Sequence, residues 1–460
     1  MAAPTTLRKI IRRVAGALFL LLIVAAFALW LKPPEIFRIG ANYSAKIVCS
    51  NVFLAGRDPD EVLRSDVQAP GIALLRLMRV SVDREHRVVR AGFLGIIGDG
   101  LAVARPGTGC SVIPDGHLES ARHLLPSAPP AATAASGAAG TGARESAAVA
   151  PFWPEGGVVE ATAALDHLLA DDTLAGPGMR AIVVVHHGRI AAERYAAGFS
   201  AATPLLGWSM SKSVLAGLVG VLVNEERLTL DQSAGLGGGR ERIKIADLLA
   251  MSSGLHFNEG YGAVSDITRM LYLERDMPGF ARRQPLAHPV GEFWSYSSGT
   301  ANILSRIAQD AAGPLGAAYP AEKLFIPLGM TSATMETDED GTLVGSSYMY
   351  ATARDWARYG QFLLQDGVWQ GREMLPRGYV AMMASPVAAS GGQYGHGMVW
   401  LNPDASFAIP ADTFWMQGHD GQSIAIIPSR GLVIVRLGLT PARDRYSPQP
   451  LVKAILGATG

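Results

Sequence analysis

The alternation of apolar and polar positions changes character along the chain, and each change predicts a different kind of structure. Residues 14–31, VAGALFLLLIVAAFALWL, carry neither charge nor helix breaker and predict one long apolar helix. Over 33–125 the apolar runs are short and alternating, as in HRVVRAGF, with turn signals such as GDG and RPGTG and one candidate helix over 58–64. This predicts a small, mostly β module. Residues 126–150, PSAPPAATAASGAAGTGARESAAVA, hold no large apolar side chain, cannot offset their ordering entropy, and read as a linker. From 151 to 460 a helix over 159–170 is followed by two β-like runs around a His-Gly turn in MRAIVVVHHGRIAAERYAAG. Helical periodicity then marks 212–226, 245–251, 301–312, 353–365 and 377–383, and SIAIIPSRGLVIVRLG closes the chain with two runs bent at 428–431. Strands at both ends with helices between them predict an α+β domain whose terminal strands share one sheet.

Charge changes the reading of the first segment. Arg8, Lys9, Arg12 and Arg13 flank it on one side only, and its 18 residues are just long enough to span a bilayer. The basic flank keeps the N-terminus cytoplasmic and sends the rest across. Two outcomes stay open for residues 1–32: an uncleaved inner-membrane anchor, or a signal peptide cut after Ala26-Phe27-Ala28. Both place the remaining chain in the periplasm or outside the cell. In such an oxidising compartment Cys49 and Cys110, the two cysteines of the chain, are expected to form a disulfide. Neither has a second Cys or His at ligand spacing, so no metal site is expected there. Lys+Arg and Asp+Glu balance at 40 each, which argues against a nucleic-acid partner. An apolar fraction of 49% supports a sizeable folded core.

The candidate chemistry begins in GWSMSKS, residues 207–213, where Ser209 and Lys212 stand three places apart at the start of an apolar helix. Positions i and i+3 share a helical face, so the amine can reach the hydroxyl, and the helix N-terminus favours developing negative charge. The same pair also fits an N-capping serine beside a solvated lysine. Tyr296, in GEFWSYSSGTANIL, is placed to relay a proton, and His419-Asp420-Gly421 leads into a β-like run whose N–H groups can help form an oxyanion hole. Taken singly, Tyr296 also reads as a rim aromatic and His419 as a turn residue. His186, His187 and His256 lack ligand spacing and read as structural. The chain has no G-x-S-x-G elbow, which counts against an α/β-hydrolase route to serine chemistry.

In this order the three motifs resemble those of the serine β-lactamase and penicillin-recognising hydrolase superfamily, S-x-x-K, Y-x-N and K-T-G. Within it the class C-like esterases and the 6-aminohexanoate-dimer hydrolase group look nearest, through LLAMSSGL at 248–255, PLGM at 327–330, YMYATARDWARYG at 348–360, LLQDGVWQGREMLP at 363–376 and GHDGQ at 418–422. The resemblance spans nearly all of 151–460 and implies an antiparallel sheet flanked by helices plus an all-helical subdomain. It implies Ser209 as the acylated nucleophile, Lys212 as its base, Tyr296 as proton shuttle, and main-chain N–H groups of Ser209 and Gln422 as the oxyanion hole. No metal or organic cofactor is implied, and the partner is a small amide or ester. The chain departs from the pattern at Ser298, where Y-x-N has asparagine, and at His419, where K-T-G has lysine. Losing that fixed cation lowers the expectation of efficient β-lactam hydrolysis and favours esters or linear amides. His419, Asp420, Gly421 and Ser298 are the substrate-binding candidates. Asp266 is another, by analogy with an acidic residue of the amide-hydrolase group, and equally reads as a helix cap. A D,D-peptidase or weak β-lactamase is the second enzymatic reading, and a non-catalytic binding module on the same fold the third.

Overall fold

The computed structural model describes residues 5–119, 151–402 and 409–460. The stretch read as a linker, 126–150, lies outside them. Helix α1 (Thr5–Leu31) forms where a long helix is expected. The membrane span expected there is not supported: among the described residues no helix is long and apolar enough to cross a membrane.

The region expected to be mostly β is organised around a helix. Helix α2 (Glu35–Phe53) is buried from Ile39 to Val52 at every position but Tyr43. It packs on an antiparallel meander of β1 (Met78–Asp83), β2 (Val88–Phe93), β3 (Ile97–Arg105) and β4 (Gly109–Val112). Gly100 makes the close approach of β3 to α2, since a Cβ there would sit 2.3 Å from the Ala41 carbonyl carbon. The Cys49–Cys110 disulfide ties α2 to β4. The helix escapes pattern reading because both of its faces are covered, so polar residues interrupt the apolar period yet are buried and paired. Asn42 Oδ1 accepts the Leu101 N–H at 3.1 Å, and its Nδ2 donates to the Tyr272 carbonyl at 2.7 Å.

Those second partners belong to the larger C-terminal region, and the two parts share one hydrophobic core. Lys46 donates to the Glu336 carboxylate, which also accepts Ser50 Oγ at 2.9 Å and the Cys110 N–H at 2.6 Å. Asp66 takes Arg57 at 2.7 Å and Arg180 at 2.6 Å. Burial lowers the Lys46 pKa, and the Glu336 charge opposes that shift. A pair this deep fixes position more than it adds stability, because desolvating two charges offsets most of their attraction.

In the C-terminal region, β5 (Met179–His186) and β6 (Arg189–Tyr195) form a hairpin whose turn residue His187 has φ 49°. His186 and His187 stack on each other at 4.1 Å at that turn. Near the chain end come β7 (Trp400–Leu401), β8 (Phe414–Gly418), β9 (Gln422–Ile427) and β10 (Leu432–Gly438). Among the described residues they make one six-stranded sheet in the order β7-β8-β9-β10-β5-β6. Thus β10 pairs β5, with Val433 opposite Val185 and Val435 opposite Val183, and the terminal strands do share a sheet. Helix α3 (Met210–Asn224) is apolar around its circumference and buried from Met210 to Leu222, as a helix enclosed on all sides must be. Helices α4 (Asp266–Leu273) and α5 (Ser298–Ala311) build the helical part beside it, and α6 (Ala353–Leu364) lies on β5, β9 and β10.

Candidate active site

Ser209 is the N-cap of α3, yet its side chain makes no capping hydrogen bond. Its hydroxyl instead faces Lys212 Nζ at 3.1 Å. Of the two readings the sequence leaves open, the capping serine with a solvated lysine is therefore not what forms. The backbone entering this turn is constrained: Trp208 has φ 48°, a left-handed conformation uncommon for a bulky residue. Its indole is held against His419 and Tyr348, with centroids at 5.7 and 6.2 Å.

Lys212 is 1% exposed and spends its three protons on Ser209 Oγ, Ser298 Oγ at 3.0 Å and the Ser346 carbonyl at 2.8 Å. All three acceptors are neutral. Burial therefore brings the ammonium pKa down to about 8, with the charge of Glu259 pulling the other way. Asn302 on α5 accepts the Ser346 N–H at 3.2 Å and so positions the carbonyl that Lys212 uses. Tyr296 presents its ring face to Lys212 Nζ, 4.7 Å from the centroid, and its hydroxyl interacts with Ser209. Burial raises the phenol pKa, the Glu259 charge raises it further, and the Ser209 bond only partly offsets them. The tyrosine is thus a neutral hydroxyl at physiological pH, backed by Tyr394 and Trp400 at 5.9 and 5.5 Å.

Ser298, in place of the motif asparagine, works as part of a pair. Its Oγ donates to Glu259 Oε1 at 2.5 Å, and its N–H donates to Glu259 Oε2 at 2.8 Å. The carboxylate caps the N-terminus of α5, where the helix dipole favours it, and places one negative charge behind the lysine. Glu259 carries no signal in the sequence: it lies in the irregular FNEGYG stretch and meets Ser298, 39 positions away, only through tertiary packing. Ser346, Asn302 and Tyr261 were missed for the same reason.

The remaining candidates divide. His419 belongs to the site, its ring stacked on Tyr261 at 4.7 Å and edge-on to Trp208. Asp420 and Gly421 hold the turn instead. The Asp420 carbonyl accepts the Thr440 N–H at 2.9 Å, and the Gly421 carbonyl accepts Arg436 Nη1 at 2.9 Å. The Asp420 carboxyl is buried, which raises its pKa, and has His419 Nε2 at 3.4 Å. Gly418 abuts the nucleophile segment, since a Cβ there would lie 2.2 Å from the Gly207 carbonyl oxygen. That contact brings the β8–β9 turn, and the main chain of Gln422, beside the start of α3. The Gln422 side chain is committed elsewhere, donating to Gly438 O at 2.6 Å. Asp266 opens α4, accepts the Asn258 N–H at 2.8 Å and has His256 Nδ1 at 3.6 Å. The cap it was read as is supplied by Ser265 instead, and Asp266, the first residue of α4, anchors the loop that carries Glu259.

An antiparallel sheet with flanking helices, and a serine–lysine pair on the first turn of a helix buried beside it, define the β-lactamase-fold class. The family model described as beta-lactamase matches residues 165–445, more than half of the chain, and the protein belongs to that family. It is 24% identical over 296 residues to the 6-aminohexanoate-dimer hydrolase of Paenarthrobacter ureafaciens, an alignment covering 57% of this chain and 73% of that protein. The same fold recurs in a Bacillus anthracis protein provisionally given that name, at TM-score 0.55, 22% identity and coverage of 63% and 80% of the two chains. It recurs again in a penicillin-binding protein of Bacillus halodurans, at TM-score 0.52, 17% identity and coverage of 64% and 100%. The matched region leaves out α2 and its sheet, which pack onto the family fold as an addition.

Proposed function

We propose that the protein is a serine hydrolase that opens a linear amide or an ester through an acyl-enzyme on Ser209. The observation that carries this reading is the uncapped Ser209 hydroxyl 3.1 Å from a buried lysine whose pKa is brought down to about 8. A serine hydroxyl needs a base that is unprotonated for part of the time at working pH, and a desolvated lysine provides one. In the forward half-reaction Ser209 Oγ attacks the acyl carbon while Lys212 takes its proton; as the bond to the amine or alcohol breaks, the Tyr296 hydroxyl gives the leaving group a proton and recovers one from Lys212. Main-chain N–H groups of Ser209 and Gln422 hold the oxyanion. Water then attacks the acyl carbon as its proton passes to the same base, the bond to Ser209 Oγ breaks, Oγ takes that proton back, and the carboxylic acid leaves.

His419 supports linear substrates over β-lactams. Its ring lies flat on Tyr261 with its edge against Trp208, where the K-T-G motif has a lysine. The similarity to a 6-aminohexanoate-dimer hydrolase points the same way. Turnover of p-nitrophenyl esters, a linear amide dimer and a cephalosporin by the full chain tests the preference. The reading expects esters or the amide to exceed the cephalosporin in kcat/KM, and the reverse order overturns it. We also infer an exported site of action in an oxidising compartment, on the support of the Cys49–Cys110 bridge.

A further inference from the structure

Beside the catalytic residues lies a cavity of about 580 Å³ whose two walls come from different parts of the chain. One wall is the family fold, with Trp208, Tyr261, Tyr272 and His419. The other is the N-terminal addition, with Ile36 and Ile39 of α2 and Ile72 and Leu74 of the segment after it. This volume falls within the ~300–1,000 Å³ of sites for small organic ligands, and the added wall is aliphatic. The cavity adjoins the reacting centre through Trp208, Tyr261 and His419. Trp208 precedes the nucleophile, and Tyr261 spans the gap, its hydroxyl interacting with Ser298 and its ring stacked on His419. At the cavity lip Ile72 remains 42% exposed although it is a large aliphatic residue.

From this we propose that the N-terminal addition forms the binding wall for an aliphatic chain of the substrate, so that the enzyme takes medium- to long-chain acyl esters or amides. The inference rests on Ser209 being the acylated residue. A hydrocarbon chain is the occupant that fits, because aliphatic and aromatic side chains make up most of the lining, with Thr268, His419, Asp420 and Arg443 its polar members, and Trp208 of the lining is the residue before Ser209. This arrangement sets the acyl carbonyl towards Trp208, the neighbour of Ser209, and the hydrocarbon along the aliphatic wall. It also accounts for the depth at which α2 is locked in place: Asn42, Lys46 and Asp66 bond across to the family fold and keep the wall at fixed distance.

The test separates the cavity from the chemistry. Isothermal titration of hexanoate, octanoate and decanoate into the full chain carrying Ser209→Ala reads the cavity without turnover. Each added methylene is expected to tighten Kd about three- to fourfold. Ile72→Glu, at an exposed position that leaves folding intact, is expected to weaken decanoate at least tenfold, and Leu74→Trp to flatten the chain-length dependence. Kd values independent of chain length, or decanoate binding unchanged in both variants, overturn the inference. In the unsubstituted protein the acyl-chain series of p-nitrophenyl esters is expected to follow the same slope in kcat/KM. Chain-dependent binding without ester turnover would overturn the hydrolase reading while leaving the cavity assignment standing.

Discussion

Replacing Glu259 by Gln tests how the site sets the basicity of Lys212. Two hydrogen bonds in series, Lys212 to Ser298 at 3.0 Å and Ser298 to Glu259 at 2.5 Å, hold the ammonium and the carboxylate within about 5.5 Å. At an effective dielectric of ~20 the attraction is about 3 kcal/mol, or ~2 pKa units. The carboxylate favours the charged lysine, so removing its charge lowers the Lys212 pKa below its value of about 8. Since the base acts when unprotonated, activity is present above that pKa and lost as pH falls through it. The acid limb of the kcat/KM profile, measured on a p-nitrophenyl ester, is therefore expected to move to lower pH by one to two units in Glu259→Gln. At pH 6 the variant then retains a larger fraction of its plateau rate than the unsubstituted enzyme does. An acid limb that stays in place or moves upward refutes the electrostatic role assigned to Glu259.

Three further outcomes follow from the same geometry. Lys212→Met is expected to abolish turnover and to raise stability by about 1–3 kcal/mol at pH 7 by urea unfolding, because a pKa lowered from 10.5 to about 8 penalises the folded state. That penalty is fully present below pH 8 and fades as pH rises towards 10.5, so the advantage of the variant shrinks in alkali, and a variant less stable at pH 7 contradicts the shift. Glu336→Gln leaves Lys46 buried without its counter-charge and is expected to cost about 3–5 kcal/mol, whereas a change under ~1 kcal/mol would show that the pair is not desolvated. Cys49→Ser with Cys110→Ser opens a link between residues 61 apart and is expected to lower stability by about 4 kcal/mol; two free thiols found by mass in the unsubstituted protein would refute the bridge.

The catalytic half of the chain was legible because its elements are amphipathic or uniformly apolar. The β5–β6 hairpin, the closing β9–β10 pair and helix α3 all lie where apolar periodicity places them. Ser209, Lys212, Tyr296 and His419 come together because short motifs at helix and strand starts carry their own geometry. Helix α2 was not legible, since Asn42, Lys46, Ser50 and Asn51 interrupt its apolar pattern and are satisfied by partners up to about 300 residues away. Asp266 and Glu259 show the same limit within one loop. Both carboxylates precede helices or cap them, and only the packed structure decides that Glu259 meets the lysine's partner while Asp266 holds the Asn258 main chain.

The central claim is that Ser209 forms a covalent acyl-enzyme. Intact-mass and peptide-mapping measurement of the full chain after reaction with a fluorophosphonate probe tests it most directly. The account predicts one adduct per chain, carried by Ser209, absent in Ser209→Ala and formed more slowly as pH falls below about 8. Labelling that persists in Ser209→Ala, or no adduct at any pH together with no ester turnover, would contradict it.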